Sequence, residues 1–217
     1  MACRAVCISR SEGAGGAEIA HLVADRLGFR YIDDEIIAHA AAKGGISPGD
    51  VADEEKRKST LGRLLRELGT SSAVESYGLP GAAAGLSAKG SEPAAIRSLI
   101  QEAIEETAGQ GDVVIVAHAA SRALAGQRGV LRVLVTASPE IRAGRLSESR
   151  GIDRGEATRS IKEADAARRD YLRRFYGVDV ELPTHYDLVV NTDALSLEQA
   201  AELIAQAAAV TGSNEPA

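Results

Sequence analysis

The stretch Val6 to Ala20, VCISRSEGAGGAEIA, constrains this chain most, because a β-branched run breaks into a glycine-rich turn and then reads as the start of a helix. Glycines at 13, 15 and 16 let backbone N–H groups approach an anion closely. A helix beginning there aims its unpaired donors and its positive dipole end at the same point, so phosphate is the favoured ligand. Laid against the Walker A spacing G-x-x-x-x-G-K-[ST] with Gly15 on the second glycine, Arg10 falls on the first glycine and Gly16 on the lysine. The loop shape is there, while its lysine and its magnesium-binding hydroxyl are not.

Two other readings of the stretch stand beside the phosphate loop. Gly13-Ala14-Gly15 begins a G-x-G-x-x-G fingerprint, with Asp33 about 20 residues on where a ribose-binding acid would sit, but Glu18 occupies the third glycine. The alternative is a strand-to-helix turn that holds no ligand.

Strand and helix signals alternate along the chain. A strand over Arg4–Ser9 leads to a helix over Gly16–Leu27 with Ile19, Val23 and Leu27 on its apolar stripe, stopped by Gly28. His21 falls on the polar face of that helix, where it reads as solvated. A short strand over Phe29–Ile32 ends in Asp33-Asp34-Glu35 at the start of a helix over Glu35–Ala42. Those carboxylates either match the helix dipole or, for Asp33 at a strand's carboxyl end, face a ligand crevice.

Residues 50–69 read as a charged helical segment, and 70–91 as a Gly/Ala/Ser-rich loop, before a helix resumes over Pro93–Ala108. DVVIVA at 112–117 and Val130–Thr136 are near-continuous apolar runs of the kind buried on both faces of a parallel sheet. His118 emerges at the carboxyl end of the first of these, where ligands bind, although a lone histidine is equally a satisfied structural residue. Ser138-Pro139 is an N-cap followed by a first-turn proline, opening a helix that carries Arg142, Arg145 and Arg150 up to Gly151. Such arginines are solvated surface or, facing a phosphate loop, suited to neutralising transferred charge.

A long helix over Ile152–Tyr176 places Asp165 and Arg168 on a stripe shared with Ile161, Leu172 and Phe175, either as an i,i+3 ion pair or as part of a ligand site. A strand over Tyr186–Asn191 and a helix over Leu197–Val210 close the pattern, which is that of a doubly wound α/β sheet.

Composition removes several function classes. The net charge of −6 argues against a nucleic-acid polymer or anionic membrane as partner, and aromatic residues at 3% supply few base-stacking platforms. No run approaches the ~18 apolar residues of a membrane span, and MACRAVCISR has no apolar signal region, so a cytoplasmic location is expected. Cys3 and Cys7 have even spacing and read as free thiols on one face of the first strand.

The segments together resemble the cytidylate kinase-like family of P-loop nucleoside monophosphate kinases, from about Ala5 to Leu203. ISRSEGAGGAEIAHLVADRLGFRYIDDEIIAHAA is similar to that family's loop and the strand-acid-helix element after it. VLRVLVTASPEIRAGRL resembles the strand and arginine-bearing helix that enter the lid, and IKEADAARRDY the stretch after it. Where the family usually shows Gly-Arg after the third strand, this chain has Ala117-His118.

The resemblance implies a P-loop NTPase-like three-layer α/β/α fold with a central parallel sheet of about five strands. It further implies a single domain over 1–212 with an acceptor-binding helical insertion at about 35–110 and a small lid at about 142–175, and a disordered tail at 213–217. The implied reaction is transfer of the ATP γ-phosphoryl group, with Mg²⁺, to a pyrimidine nucleoside monophosphate such as CMP or dCMP. Arg10, Gly13, Ala14, Gly15, Gly16, Ala17 and Glu18 would cradle the donor phosphates. Arg142, Arg145 and Arg150 would be the lid arginines, and Asp33, His118, Asp165 and Arg168 would face the acceptor nucleotide. A catalytically weak or inactive nucleotide-binding module is the alternative, and the missing lysine is its support.

Overall fold

The computed structural model describes residues 3–56, 93–116 and 119–211. Its centre is a sheet of strands β1 (Ala5–Arg10), β2 (Arg30–Ile32), β3 (Val113–Val116), β4 (Val130–Thr136) and β5 (Leu188–Asn191). All are parallel, in the order β2-β3-β1-β4-β5. Parallel pairing demands crossovers, and the helices that make them cover both faces, which is why β3 is VVIV with every residue buried. The result is a three-layer, P-loop NTPase-like α/β arrangement.

One face of the sheet carries Val6, Ile8, Val114, Val116, Leu131, Val133 and Val135 against α1 (Gly16–Leu27) and α8 (Leu197–Thr211). Ile19, Val23 and Ile204 are fully buried there, each contributing about 1.5–3 kcal/mol of transfer free energy. The opposite face carries Ala5, Cys7, Val113, Ile115 and Val130. Against it pack α2 (Glu35–Gly44), α3 (Pro48–Lys56), α4 (Pro93–Gly109) and the single turn α5 (Ala120–Ala123). A satellite core of Ala143, Leu146, Ala157 and Ile161 joins α6 (Pro139–Arg150) to α7 (Arg154–Tyr176) as a helical hairpin.

Several expectations change. Cys3 and Cys7 do not share a face: Cys7 lies in the α2–α4 core while Cys3 packs against the α1–α8 core. Period-two alternation starts only at Ala5, and the N–H groups of Arg4 and Ala5 both point at the Gly129 carbonyl, so the chain ahead of the strand is out of phase. His21 is exposed yet stacks on Tyr31, with ring centroids 3.8 Å apart. The long helix begins at Arg154, because the Asp153 carboxylate accepts from the Glu156 N–H at 2.9 Å and caps it. The last strand starts at Leu188 rather than Tyr186, since Pro183–His185 forms a short 3-10 turn. The charged segment beyond Lys56, the loop over 70–91, Ala117, His118 and the tail over 213–217 lie outside the described residues.

Parallel strands bring all their carboxyl ends to one edge of the sheet. There the chain leaves β1 at Ser11, β2 at Asp33, β4 at Ala137 and β5 at Thr192, so segments far apart in sequence meet over the loop.

Candidate functional site

The loop that leaves β1 is a tight reversal anchored on its neighbour: Ser11 N–H donates to the Val135 carbonyl at 3.0 Å and Ala14 N–H to the Ser11 carbonyl at 3.1 Å. Gly13 and Gly15 have φ of 80° and 79°, a left-handed backbone that costs an L side chain ~1–2 kcal/mol. Space is closed as well, because a Cβ at Gly13 would lie 2.7 Å from the Arg142 carbonyl oxygen and one at Gly15 2.5 Å from Leu197 Cδ2. The first bond of α1 runs from Ile19 N–H to the Gly15 carbonyl at 3.0 Å. Gly15, at the N-cap, has no side chain to offer, so the N–H groups of Gly16, Ala17 and Glu18 have no intrahelical partner. In Walker A terms Gly16 and Ala17 stand where the lysine and the hydroxyl would be.

In front of these donors is a cavity of about 440 Å³, bounded by the loop on one side and by Arg145, Ser149 and Arg150 of α6 on the other. Arg145 is held in place by Thr192, donating to its Oγ1 at 2.8 Å and its carbonyl at 2.7 Å. The Thr192 hydroxyl in turn donates to the Ala14 carbonyl at 3.0 Å, so β5, α6 and the loop form one hydrogen-bonded unit. Arg150 reaches across the cavity mouth to Glu12 Oε1 at 2.5 Å and also touches Ser160 Oγ at 3.4 Å.

Arg142 points elsewhere. Its side chain is 6% exposed and its guanidinium grips Asp165 on α7, Nη2 lying 2.9 Å from both carboxylate oxygens. The two residues therefore hold the α6–α7 hairpin together. Arg168 and Asp165 do not pair with each other: Arg168 donates to Glu181 at 2.9 and 2.6 Å and to Tyr186 Oη at 3.3 Å. Burial pushes the Glu181 carboxyl up, but hydrogen bonds from Arg168 and Tyr186 more than offset it and hold the group below its ordinary value. Burial also raises the Tyr186 phenol, reinforced by its hydrogen bond to Glu181.

Asp33 sits at the carboxyl end of β2, with Tyr31 Oη donating to it at 3.3 Å and Arg10 Nη2 forming a looser ion pair at 3.8 Å. Arg10 belongs to the cavity wall, so Asp33 borders the loop from the β2 side. Burial first and Asp33 second raise the Tyr31 pKa. Of the residues singled out from sequence, Arg10, Gly13, Gly15, Gly16, Ala17, Glu18, Arg145 and Arg150 line the cavity together. Ala14 is buried beneath it, and Asp165 and Arg168 are engaged in α7 ion pairs. Sequence reasoning misses Thr192 and the Glu181–Tyr186 pair. Thr192 carries a usable signal, a hydroxyl immediately after the last strand, whereas Glu181 lies in an irregular segment with no periodicity to mark it.

The arrangement suits a polyphosphate: free helix N–H groups, a loop whose glycines exclude side chains from the approach, and guanidinium groups on the facing wall. Among the described residues, no cluster of three or more His, Cys, Asp or Glu side chains is arranged to hold a metal ion. No helix among them is long and apolar enough to cross a membrane.

A family model described as the cytidylate kinase-like family matches residues 5–194. The chain belongs to that family. Within the cytidylate kinase-like family and its relatives, it is 31% identical over 102 residues to a cytidylate kinase of Methanopyrus kandleri, covering 43% of this chain and 53% of that one. It is 25% identical over 209 residues to a cytidylate kinase of Rhodococcus jostii, covering 89% of each. The matched part spans little more than half the length of the first curated relatives. Among solved structures, an uncharacterized protein from Eubacterium ventriosum superposes with a TM-score of 0.63 at 15% identity, covering 94% of this chain and 98% of that one. That likeness is one of fold.

Proposed function

We propose that this chain is a nucleotide kinase that transfers the γ-phosphoryl group of ATP to a pyrimidine nucleoside monophosphate, CMP or dCMP. The observation that carries the reading is the placement of Arg145 and Arg150 across a 440 Å³ cavity from the glycine loop and the free N–H groups of α1. Phosphoryl transfer asks a protein for positioning and charge neutralisation rather than covalent help, and both are supplied here by the chain's own groups. Gly13, Gly15, Gly16 and the first turn of α1 would hold the donor phosphates. Arg145, braced by Thr192, would lie against the transferring group, and Arg150 would join it on leaving Glu12. Magnesium enters with the nucleotide, as the metal complex of the substrate's own phosphates.

The α6–α7 hairpin takes the place of the lid in this reading, held together by Arg142–Asp165 and its own small core. The helices after Asp33 serve as the acceptor side, with Asp33, His118 and Arg168 the groups assigned to the acceptor nucleotide. Relatives named cytidylate kinase support the acceptor class. The second reading, a nucleotide-binding module with little turnover, is favoured by Gly16 at the lysine position.

A thermal-shift series with ATP, CMP, dCMP, UMP, AMP and NAD, each with and without Mg²⁺, tests whether a donor and an acceptor nucleotide both bind, because a ligand that binds only the native state raises apparent stability; CMP-dependent ADP release then separates the kinase from the module. The kinase reading expects shifts with ATP and with CMP or dCMP. A shift with NAD alone, or with no nucleotide, contradicts it.

A further inference from the structure

Gly16 and Arg10 explain each other. In a Walker A loop the lysine leaves from the residue that Gly16 occupies, the first of the helix. A Cβ placed on Gly16 would lie 2.5 Å from Arg10 Cβ, 3.1 Å from Cδ and 3.3 Å from Cγ. The space that the first atom of a side chain at 16 would need is therefore filled by the stem of Arg10, which arrives from the end of β1.

The end of that side chain is, among the described residues, the least committed cation around the cavity. Arg142 is bound to Asp165 at 2.9 Å, Arg150 to Glu12 at 2.5 Å, and Arg145 is hydrogen-bonded at 2.7 and 2.8 Å to Thr192. Arg10 makes only a 3.8 Å ion pair with Asp33, and its buried Nε, like that of Arg142, has no hydrogen-bond partner among the described residues. A buried guanidinium N–H without an acceptor is costly, and an incoming oxyanion removes that cost.

We propose that Arg10 and Gly16 are an exchanged pair, in which the positive charge that a phosphate loop ordinarily carries on its helix is carried on the preceding strand. Arg10 is then the cation that meets the donor's terminal phosphates, and Gly16 is glycine because any side chain there would displace it. The proposal rests on the kinase reading above and adds the identity of the missing charge. It also places that charge beside Asp33, so the group that holds donor phosphate shares a contact with the β2 end assigned to the acceptor. A guanidinium in this role offers forked donors, where a lysine offers a point charge.

The test uses the full chain, with ATP affinity measured by titration calorimetry in Mg²⁺ and turnover by CMP-dependent ADP release. Arg10→Met keeps the stem and removes the charge; it is expected to weaken ATP binding by about 10-fold or more and to lower kcat by about 10²-fold or more. Gly16→Lys alone is expected to fail similarly, because its Cβ meets Arg10 Cβ. Alanine at 10 would retain that Cβ, so the reciprocal variant is Arg10→Gly with Gly16→Lys, which is expected to recover at least tenfold of the loss seen in Arg10→Met. Thermal unfolding confirms that each variant is folded. A folded Arg10→Met protein with wild-type ATP affinity and kcat overturns the proposal while leaving the kinase reading intact. A Gly16→Lys protein as active as wild type also overturns it. Wild-type protein that binds neither ATP nor ADP overturns the kinase reading itself, and the exchange with it.

Discussion

Arg142 donates from both terminal nitrogens to Asp165, across the two helices of the α6–α7 hairpin, and its own carbonyl lies directly beneath Gly13 of the glycine loop. One residue thus sets the shape of the hairpin with its side chain and the close approach of the loop with its backbone.

Removing either partner should therefore act on stability before it acts on chemistry. Asp165→Leu leaves the buried Arg142 charge unpaired and is expected to cost about 3–5 kcal/mol, and Arg142→Met, which leaves Asp165 33% exposed, is expected to cost less. Replacing the pair together, Arg142→Met with Asp165→Leu, is expected to restore most of that loss. Denaturant unfolding of the four proteins measures the coupling, and single variants no less stable than wild type would contradict it.

Thr192 joins the last strand to the loop through Ala14 and orients Arg145 through the same hydroxyl. Thr192→Val keeps the shape and removes the hydroxyl's bonds to Arg145, Ala14 and Thr136, stranding the Ala14 carbonyl at a cost of about 1–3 kcal/mol. The variant is expected to lower kcat more than it raises the KM for ATP, since Arg145 keeps only its bond to the Thr192 carbonyl while the N–H donors of α1 remain. Steady-state kinetics showing a changed KM with unchanged kcat would argue that Thr192 only shapes the donor site.

Gly15 combines a φ of 79° with a Cβ position 2.5 Å from Leu197. Gly15→Val is expected to abolish measurable ADP binding. Gly15→Val with Leu197→Ala removes the clash but not the backbone strain, and is expected to recover stability without recovering binding. Restored ADP affinity in the double variant would show that the clash alone was at fault.

The Glu181 carboxylate has a folded pKa below its unfolded value, so its contribution to stability is complete above the unfolded pKa and is lost as pH falls through the lowered folded one. Glu181→Gln is therefore expected to be less stable than wild type near neutrality, with the difference shrinking below about pH 4. Chemical denaturation across that range checks the sign; a difference independent of pH would assign the effect to packing.

The sheet and the glycine loop are legible in the sequence because each depends on local pattern. DVVIVA and VLRVLVT are apolar without alternation, which only a strand covered on both faces tolerates, and the GAGG turn leads straight into the periodicity of α1. The arginine roles are not legible. Arg142, Arg145 and Arg150 look alike in sequence, and what separates them is the partner each meets from another element: Asp165, Thr192 and Glu12. Asp165 and Arg168 lie one turn apart and invite pairing, yet each is satisfied by a residue outside its own helix, because α7 packs between α6 and the segment that carries Glu181. Long-range ion pairs of this kind leave no periodic trace.

The measurement that bears most directly on the function is ADP release from ATP and Mg²⁺ in the presence of each nucleoside monophosphate, CMP, dCMP, UMP and AMP, run beside Arg145→Ala. The account predicts release that depends on CMP or dCMP, and a fall in kcat of ~10³-fold in the variant with ATP binding largely kept. A wild-type chain that binds ATP but releases no ADP with any of the acceptors would contradict the kinase assignment and leave a nucleotide-binding module in its place.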